Sequence, residues 1–557
     1  MPQGVRQVSE VPELDPNRPP PPDYYARNVR YLLDEVERRS GALLLAEEKR
    51  FVRAYLDAGP SAQRLFARLL TRSRPWIRCD SLNYPEVGDL EAALHELAAS
   101  GLIARTPDAP AQELLGLFTR PELEAAFPSL RGSQAPRASI SPRALTKPAW
   151  IEACVGRYPD HAIRARLAER YPWIGVAGQA AFAVCQVLFF GDDAGDLSRF
   201  VVQDLGILRY ERYALDRRTR PFQARDELEG YLLCRRLSPW SSRLDTTPAL
   251  AREIPVMLWG AARTRTEQRA RDKVLNRVAR WHERRREFDQ ALTCYGRASS
   301  HPARERQARL LRRLGDQAGV EALLEDIRRD PWSAEEEDFA RRFPGRRAAA
   351  DFPVTTCTLG GPTPAHIERH ALRLLTGNGG RGWHLENLLP LGLTGLAFWD
   401  EIFAPVPGAF SNPFQLGPQD LFWPDFARSR RRLLDARLQA LKQPGGLARQ
   451  LRATLAAKRG TANRLVHWGA VTAELVEALL ANVPHPALLA LVEHTVRDLG
   501  RCRTGFPDLL LVYGPAAWEL VEVKGPTDSL QPAQRTWLRR LGELGLPARV
   551  LRFRAAC

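Results

Sequence analysis

Three side chains near the end of the 557-residue chain are spaced for shared chemistry. Gly505-Phe-Pro-Asp508 leads into the apolar run Leu509-Leu-Leu-Val512. A Gly514-Pro-Ala-Ala turn follows, then Glu519-Leu-Val-Glu522-Val-Lys524-Gly-Pro526. This reads as a hairpin of two strands. Side chains alternate along a strand, so Glu522 and Lys524 project to one side while Val521 and Val523 face a core. Two carboxylates can hold a divalent cation against a phosphate, and a nearby ammonium can orient an attacking water. The competing reading is a solvated face of an edge strand, because Glu and Lys are common residues. Composition weighs against chance. The chain carries 81 Lys+Arg, of which six are lysines, so a Lys at this position stands out. A planar guanidinium is a poor substitute for a compact ammonium beside a metal-bound water.

The pattern resembles the PD-(D/E)xK nucleases, and more closely the VRR-NUC domain of the Fanconi-associated nuclease family. Further motifs carry the likeness. Gly382-Trp-His-Leu-Glu386 precedes Leu393-Thr-Gly-Leu-Ala-Phe-Trp-Asp400-Glu-Ile-Phe403. Ala427-Arg-Ser-Arg-Arg-Arg432 and Leu434-Asp-Ala-Arg437-Leu look like the family's basic helical segment, and Gln534-Arg-Thr-Trp537 also fits. The resemblance spans residues 360–557 and makes Glu386 a further metal-ligating acid. It implies a catalytic set of Glu386, Asp508, Glu522 and Lys524. Glu386, Asp508, Glu522 and the Val523 carbonyl would hold one or two Mg²⁺ or Mn²⁺ ions. Mg²⁺ uses few protein carboxylates and keeps several waters, which suits this set. The implied activity is a structure-selective DNA nuclease. Such enzymes cut near 5′ flaps, degrade 5′→3′, leave 5′-phosphomonoesters and act in interstrand-crosslink repair. Two departures stand out. Relatives place basic residues around a 5′-phosphate pocket where this chain has Gly500 and Ala533. With no cysteine before Cys79, no N-terminal ubiquitin-binding zinc finger is expected.

Bulk properties agree with a polyanionic partner. The formal charge is +16 and the pI is about 9.9, which favours nucleic acid or an anionic surface. No apolar run reaches the roughly 18 residues of a spanning helix, so no membrane partner is expected. The eight cysteines are scattered without a C-x-x-C pair, which speaks against zinc and for buried thiols in a reducing compartment. A cytoplasmic, nucleoid-associated monomer acting on branched or flapped DNA is the expectation.

The expected fold is multidomain: mostly α-helical N-terminal and repeat regions, then a mixed α/β PD-(D/E)xK domain. Residues 1–22 read as a disordered Pro-rich tail. Residues 23–250 read as a helical DNA-binding domain. Within it, Gln63–Arg78 joins an apolar stripe to arginines and Trp76, and the family resemblance favours DNA contact by Arg72 and Arg74. Residues 111–155 look like a degenerate SAP module, with Lys147 as the basic residue of its loop; an ordinary helical hairpin fits as well. Arg217, in Arg217-Arg-Thr-Arg220 beside tyrosines, is a backbone-gripping residue or part of a solvated loop. Residues 251–345 read as degenerate tetratricopeptide-like repeats, with Ala291 and Ala318 in equivalent places. Residues 346–362 read as the linker and entry to the nuclease domain. Two other functions remain open: a four-way-junction resolvase, and a non-enzymatic DNA-binding scaffold with a relic nuclease fold.

Overall fold

The structure is a computed structural model that describes residues 22–72, 74–130, 146–191, 208–343, 345, 352–361, 364–377 and 379–555. The tail expected over 1–22 lies outside the described residues except for Pro22, as does the 131–145 loop of the SAP-like segment. The chain divides into two compact units, residues 1–207 and 208–557.

The first unit is helical with a small sheet. Helices Tyr24–Ser40, Ala46–Asp57 and Pro60–Leu70 bury Val29, Leu32, Val52, Leu65 and Phe66. The stripe that runs through residues 63–78 in the sequence is broken after Leu70. Trp76–Arg78 is strand β1, which pairs antiparallel with β3 (Trp173–Val176), itself paired with β2 (Ile103–Arg105). The reason is local: Arg74-Pro75 cannot continue a helix. Gly175 lets β3 lie under Trp76, because a Cβ there would sit 2.7 Å from the indole. The hydrophobic helix Gln179–Phe190 is buried, as its all-round apolar sequence requires. In the SAP-like segment, helices Ala111–Leu115, Arg120–Ala126 and Lys147–Arg157 share a core of Leu114, Phe118, Leu123, Phe127, Trp150 and Cys154.

The second unit begins earlier than the expected boundary at 250. Helix Arg225–Ser241 packs on helix Arg265–Arg284, and Cys234 and Leu237 share one core with Val274, Leu275 and Val278. The segment 208–223 belongs to this unit too. Tyr213 stacks on Phe410 and donates to the Asn412 carbonyl, and Glu211 accepts from Trp399 Nε1 and Lys458. A run of apolar and aromatic side chains between charges gave no sign of so distant a partner.

Helices Phe288–Gly296, Ala303–Leu314, Gln317–Arg329 and Ala334–Arg342 continue the array as packed hairpins. Arg304 is fixed inside it: its guanidinium donates to both oxygens of the fully buried Glu336 at 2.9 and 2.7 Å and lies over Trp332.

The nuclease sheet has the order β4-β8-β7-β6-β5: Val354–Thr358, Ala548–Arg554, Ala517–Lys524, Leu509–Gly514 and Arg381–His384. Pairings of β4, β8 and β7 are parallel and those of β7, β6 and β5 antiparallel. β4 falls inside the stretch expected as linker and domain entry; its Val-Thr-Thr-Cys-Thr run is β-branched and suits an edge strand. β7 is central and covered on both faces. Val521 and Val523 pack with Ile367, Leu551 and Phe553, while Leu520 packs with Trp537 and Leu541 of helix Pro532–Glu543.

Removing Glu336 strands the Arg304 charge inside the repeat array, a loss of about 3–5 kcal/mol. Glu336→Ala is therefore expected to raise hydrogen-exchange rates through helices Ala303–Leu314 and Ala334–Arg342 by several hundred-fold or more. Unchanged protection there contradicts this.

Candidate active site

Asp508 stands immediately before β6, and its backbone carbonyl accepts from the amides of Leu385 (2.9 Å) and Glu386 (3.1 Å). The chain end of β5 is thus pinned to the chain start of β6. Phe506 N donates to Asn387 Oδ1 at 3.0 Å, closing the same junction. Glu386 has φ +42°, a left-handed conformation rare for a residue with a side chain. Such strain persists where surrounding contacts enforce it and clusters at functional sites. Gly505, at φ +91°, is needed for close approach: a Cβ there would lie 2.5 Å from the Ala533 carbonyl carbon.

The four expected residues fall at one corner of the sheet. Asp508 Oδ2 accepts the amide of Val523 at 2.8 Å. Glu522 is fully buried, and its Oε1 accepts from Lys524 Nζ at 2.6 Å and Gln534 Nε2 at 2.5 Å. Lys524 is buried as well, at 8 % exposure. The solvated edge-strand reading of Glu522 and Lys524 is therefore incorrect, because β7 is central and both groups continue the Leu520 face into the interior. Glu386 and His384 are exposed at the mouth of the site, with His384 Nε2 3.3 Å from Glu386 Oε1. One ligand atom each from His384, Glu386 and Asp508 lie within 4.8 Å of one another. Sequence reasoning passed over His384; its i, i+2 spacing to Glu386 was the available signal.

Burial pushes the carboxyls of Asp508 and Glu522 well above the ordinary carboxylate range. The charge of Asp508 raises Glu522 further, and the ammonium of Lys524 opposes both shifts. Glu522 Oε2 is buried without a hydrogen-bond partner. A buried carboxylate oxygen left unpaired costs stability unless a cation or donor meets it. The residues present therefore fit a divalent cation: hard oxygen donors, one of them orphaned, beside a single compensating ammonium.

The expected DNA-contacting residues are dispersed. Arg72 and Arg74 are exposed and line a cleft of about 410 Å³ with Trp76, Arg78 and Ser81. Arg72 donates to the Tyr84 hydroxyl at 2.6 Å, and Arg74 to the Gly116 carbonyl at 3.3 Å. Lys147 is not in a loop. It is the first residue of its helix, and its ammonium donates to the same Gly116 carbonyl at 3.0 Å. Arg217 is exposed but lies in the second unit, on the segment that packs against the nuclease core.

At the two departures, a basic side chain has no room. A Cβ at Gly500 would sit 2.9 Å from the Phe422 carbonyl oxygen, and Ala533 is buried. Arg501 is held by Asp498 and by Glu337 at 3.3 Å. Arg503 and Arg464 are exposed over the Phe422 ring, at 5.1 and 5.6 Å. The repeat arginines Arg304 and Arg306 are paired with Glu336 and Glu283.

A central strand carrying Glu-x-Lys, an acid at the start of its antiparallel neighbour and helices on both faces define a PD-(D/E)xK nuclease. The comparisons narrow this. The VRR-NUC domain model matches residues 442–555, and the FAN1 HTH domain model matches residues 23–104. The "Fanconi-associated nuclease 1 homolog" of Pseudomonas aeruginosa is 32% identical over 95% of this chain and 96% of its own length. The Arabidopsis thaliana homolog is 27% identical over 99% of this chain and 69% of its own. A solved structure described as "paFAN1 bound to 2nt 5'flap DNA with gap" superposes with a TM-score of 0.80, 30% identity, 97% of this chain and 100% of that one. The chain belongs to the Fanconi-associated nuclease family and is a DNA nuclease. Among the described residues, no helix is long and apolar enough to cross a membrane.

Raised carboxyl pKa values mean that the folded, metal-free site binds protons more tightly than the unfolded chain. These groups therefore stabilise the fold as pH falls through their folded values, and destabilise it above them. A bound cation reverses the penalty of the charged form. The rise in Tm caused by saturating Mg²⁺ is expected to be larger at about pH 8 than at about pH 6, and that dependence to shrink in Glu522→Gln, where buried Asp508 still titrates. A thermal-shift series with an increment independent of pH would refute it.

Proposed function

We propose that this protein is a Mg²⁺- or Mn²⁺-dependent, structure-selective nuclease that cuts DNA near 5′ flaps, degrades 5′→3′ and serves in interstrand-crosslink repair. The observation that carries the reading is the buried Glu522 with one oxygen on Lys524 and Gln534 and the other unpartnered, near enough to Asp508 to feel its charge. Flap preference and repair role rest on the family and on the flap-bound relative. Asp508, Glu522, Glu386 and the Val523 carbonyl would hold one or two ions. The cation, when bound, activates water and neutralises charge developing on the phosphate.

The chain's own residues supply the rest. Lys524, fixed by Glu522, presents its ammonium to the attacked phosphate or to the incoming hydroxide. Gln534 holds Glu522 in one orientation. The Val523 amide fixes Asp508. Hydrolysis leaves the phosphate on the 5′ end of the product. Branched DNA is bound by Arg72 and Arg74 at their cleft, with Arg217 as a further contact. Lys147 is half-buried where Arg72, Arg74 and Arg217 are exposed, so its contribution to DNA binding is the smallest of the four. The protein acts as a cytoplasmic, nucleoid-associated monomer, and with no room for basic groups at 500 and 533 its demand for a 5′-phosphate is modest.

The deciding experiment compares cleavage of matched flap, four-way-junction and nicked DNAs with Mg²⁺ or Mn²⁺. Flap cleavage should dominate, and Asp508→Ala should abolish it while flap affinity changes less than about threefold, a loss under about 1 kcal/mol. Lys524→Arg should fail nearly as badly despite its charge. Preferred junction cleavage, or near-normal turnover by Asp508→Ala, rejects the reading.

For duplex DNA, each phosphate neutralised adds about 0.9 to the magnitude of the log–log salt slope. Replacing Arg72 and Arg74 together by Ala should lower the slope for flap binding by up to about 2. An unchanged slope, measured by fluorescence anisotropy, would make these arginines a solvated surface.

A further inference from the structure

His384 has no part in the ligand set implied by the family, yet it stands inside the site. It ends β5, in register with Leu509 at the start of β6, so it is the cross-strand neighbour of the residue after Asp508. Two backbone hydrogen bonds from Leu385 and Glu386 to the Asp508 carbonyl hold that register fast. The left-handed turn at Glu386 then folds its carboxylate back toward the imidazole, to 3.3 Å from Nε2. The result is that one atom each of His384, Glu386 and Asp508 fit within 4.8 Å. No other group of three or more His, Cys, Asp or Glu does so among the described residues. His384 is also exposed, so its ring reaches solvent at the mouth of the site.

We propose that His384 is a nitrogen ligand of the divalent cation bound between Glu386 and Asp508, and that it makes this centre select Mn²⁺ over Mg²⁺. The inference rests on the metal-centre reading above. Mg²⁺ demands oxygen donors and near-ideal octahedral geometry. Imidazole suits first-row transition ions, most of all Zn²⁺, Cu²⁺, Fe²⁺ and Ni²⁺; Mn²⁺ prefers oxygen donors but, as a member of that series, takes one nitrogen more readily than Mg²⁺ does. The buried half of the site, Glu522 with the Val523 carbonyl, is all oxygen. The exposed half carries the imidazole. The two halves therefore differ in donor chemistry, and selectivity belongs to the half with the nitrogen. A merely orienting role, with His384 steadying Glu386, would help both ions alike.

The test needs no turnover. Mn²⁺ is titrated into the full chain without DNA, and the bound ion is examined by electron spin-echo spectroscopy for nitrogen-14 coupling. Wild-type protein should show the coupling and His384→Ala should lose it. Its Mn²⁺ affinity should fall about tenfold while its Mg²⁺ affinity is altered less than about twofold. Mn²⁺ bound at this centre without nitrogen coupling overturns the proposal, and so does an equal loss of Mn²⁺ and Mg²⁺ affinity. Failure of the underlying metal-centre reading looks different: wild-type protein takes up no Mn²⁺, or Asp508→Ala binds it unchanged, and then both fall.

Discussion

A carboxylate withdrawn from water must be neutralised, paired or met by a cation, and the centre of this nuclease sheet is arranged around that requirement. Glu522 has no exposed surface. It sits on the central strand, beneath the helix Pro532–Glu543, next to a second acid. One ammonium, that of Lys524, compensates two carboxyls, so the cluster holds more negative charge than it neutralises. The isolated desolvation of such an ion costs several kcal/mol. Burial without full compensation is a poor way to stabilise a fold and a good way to build a cation site, since a bound cation restores what folding removed.

Much of the surrounding structure serves to keep that cluster in place. Gln534 reaches Glu522 from the first turn of its helix, and the next residue, Arg535, grips the buried Asp338 of helix Ala334–Arg342 through Nε and Nη2. Thr536 donates to the Ala334 carbonyl at 3.2 Å. Arg501 and Arg539 lie on Glu337 of the same helix. The repeat array is thus fastened to the helix that orients Glu522, and the basic residues doing the fastening are engaged by carboxylates. Net charge overstates the surface available to phosphate: many arginines of this chain are structural.

The nuclease motif was legible in the sequence because its chemistry is local. Asp508, Glu522 and Lys524 lie within one hairpin, and strand alternation alone puts the last two together. Glu386 was reachable only through the family's motifs, since its position depends on the pairing of β5 with β6 over more than a hundred residues. The depth of the site was not legible. Glu-x-Lys reads as a solvated edge until the parallel partner β8, which follows it, is seen to cover the other side. The same limitation hid Tyr213 and Glu211, whose partners lie far along the chain, and placed Lys147 in a loop when its ammonium ties its helix to Gly116. Short-range spacing carries chemistry well; it carries burial poorly, because burial is decided by whatever packs from elsewhere.

The central claim is that Asp508 and Glu522 are buried in order to hold a divalent cation. It is tested most directly by an anomalous difference map from crystals equilibrated with Mn²⁺. The account predicts a peak about 2.0–2.3 Å from carboxylate oxygens of Asp508 and Glu522, with the Val523 carbonyl turned toward it. A map with no peak there, and Glu522 still closed on Lys524 and Gln534 at a Mn²⁺ concentration that supports cleavage, would contradict it.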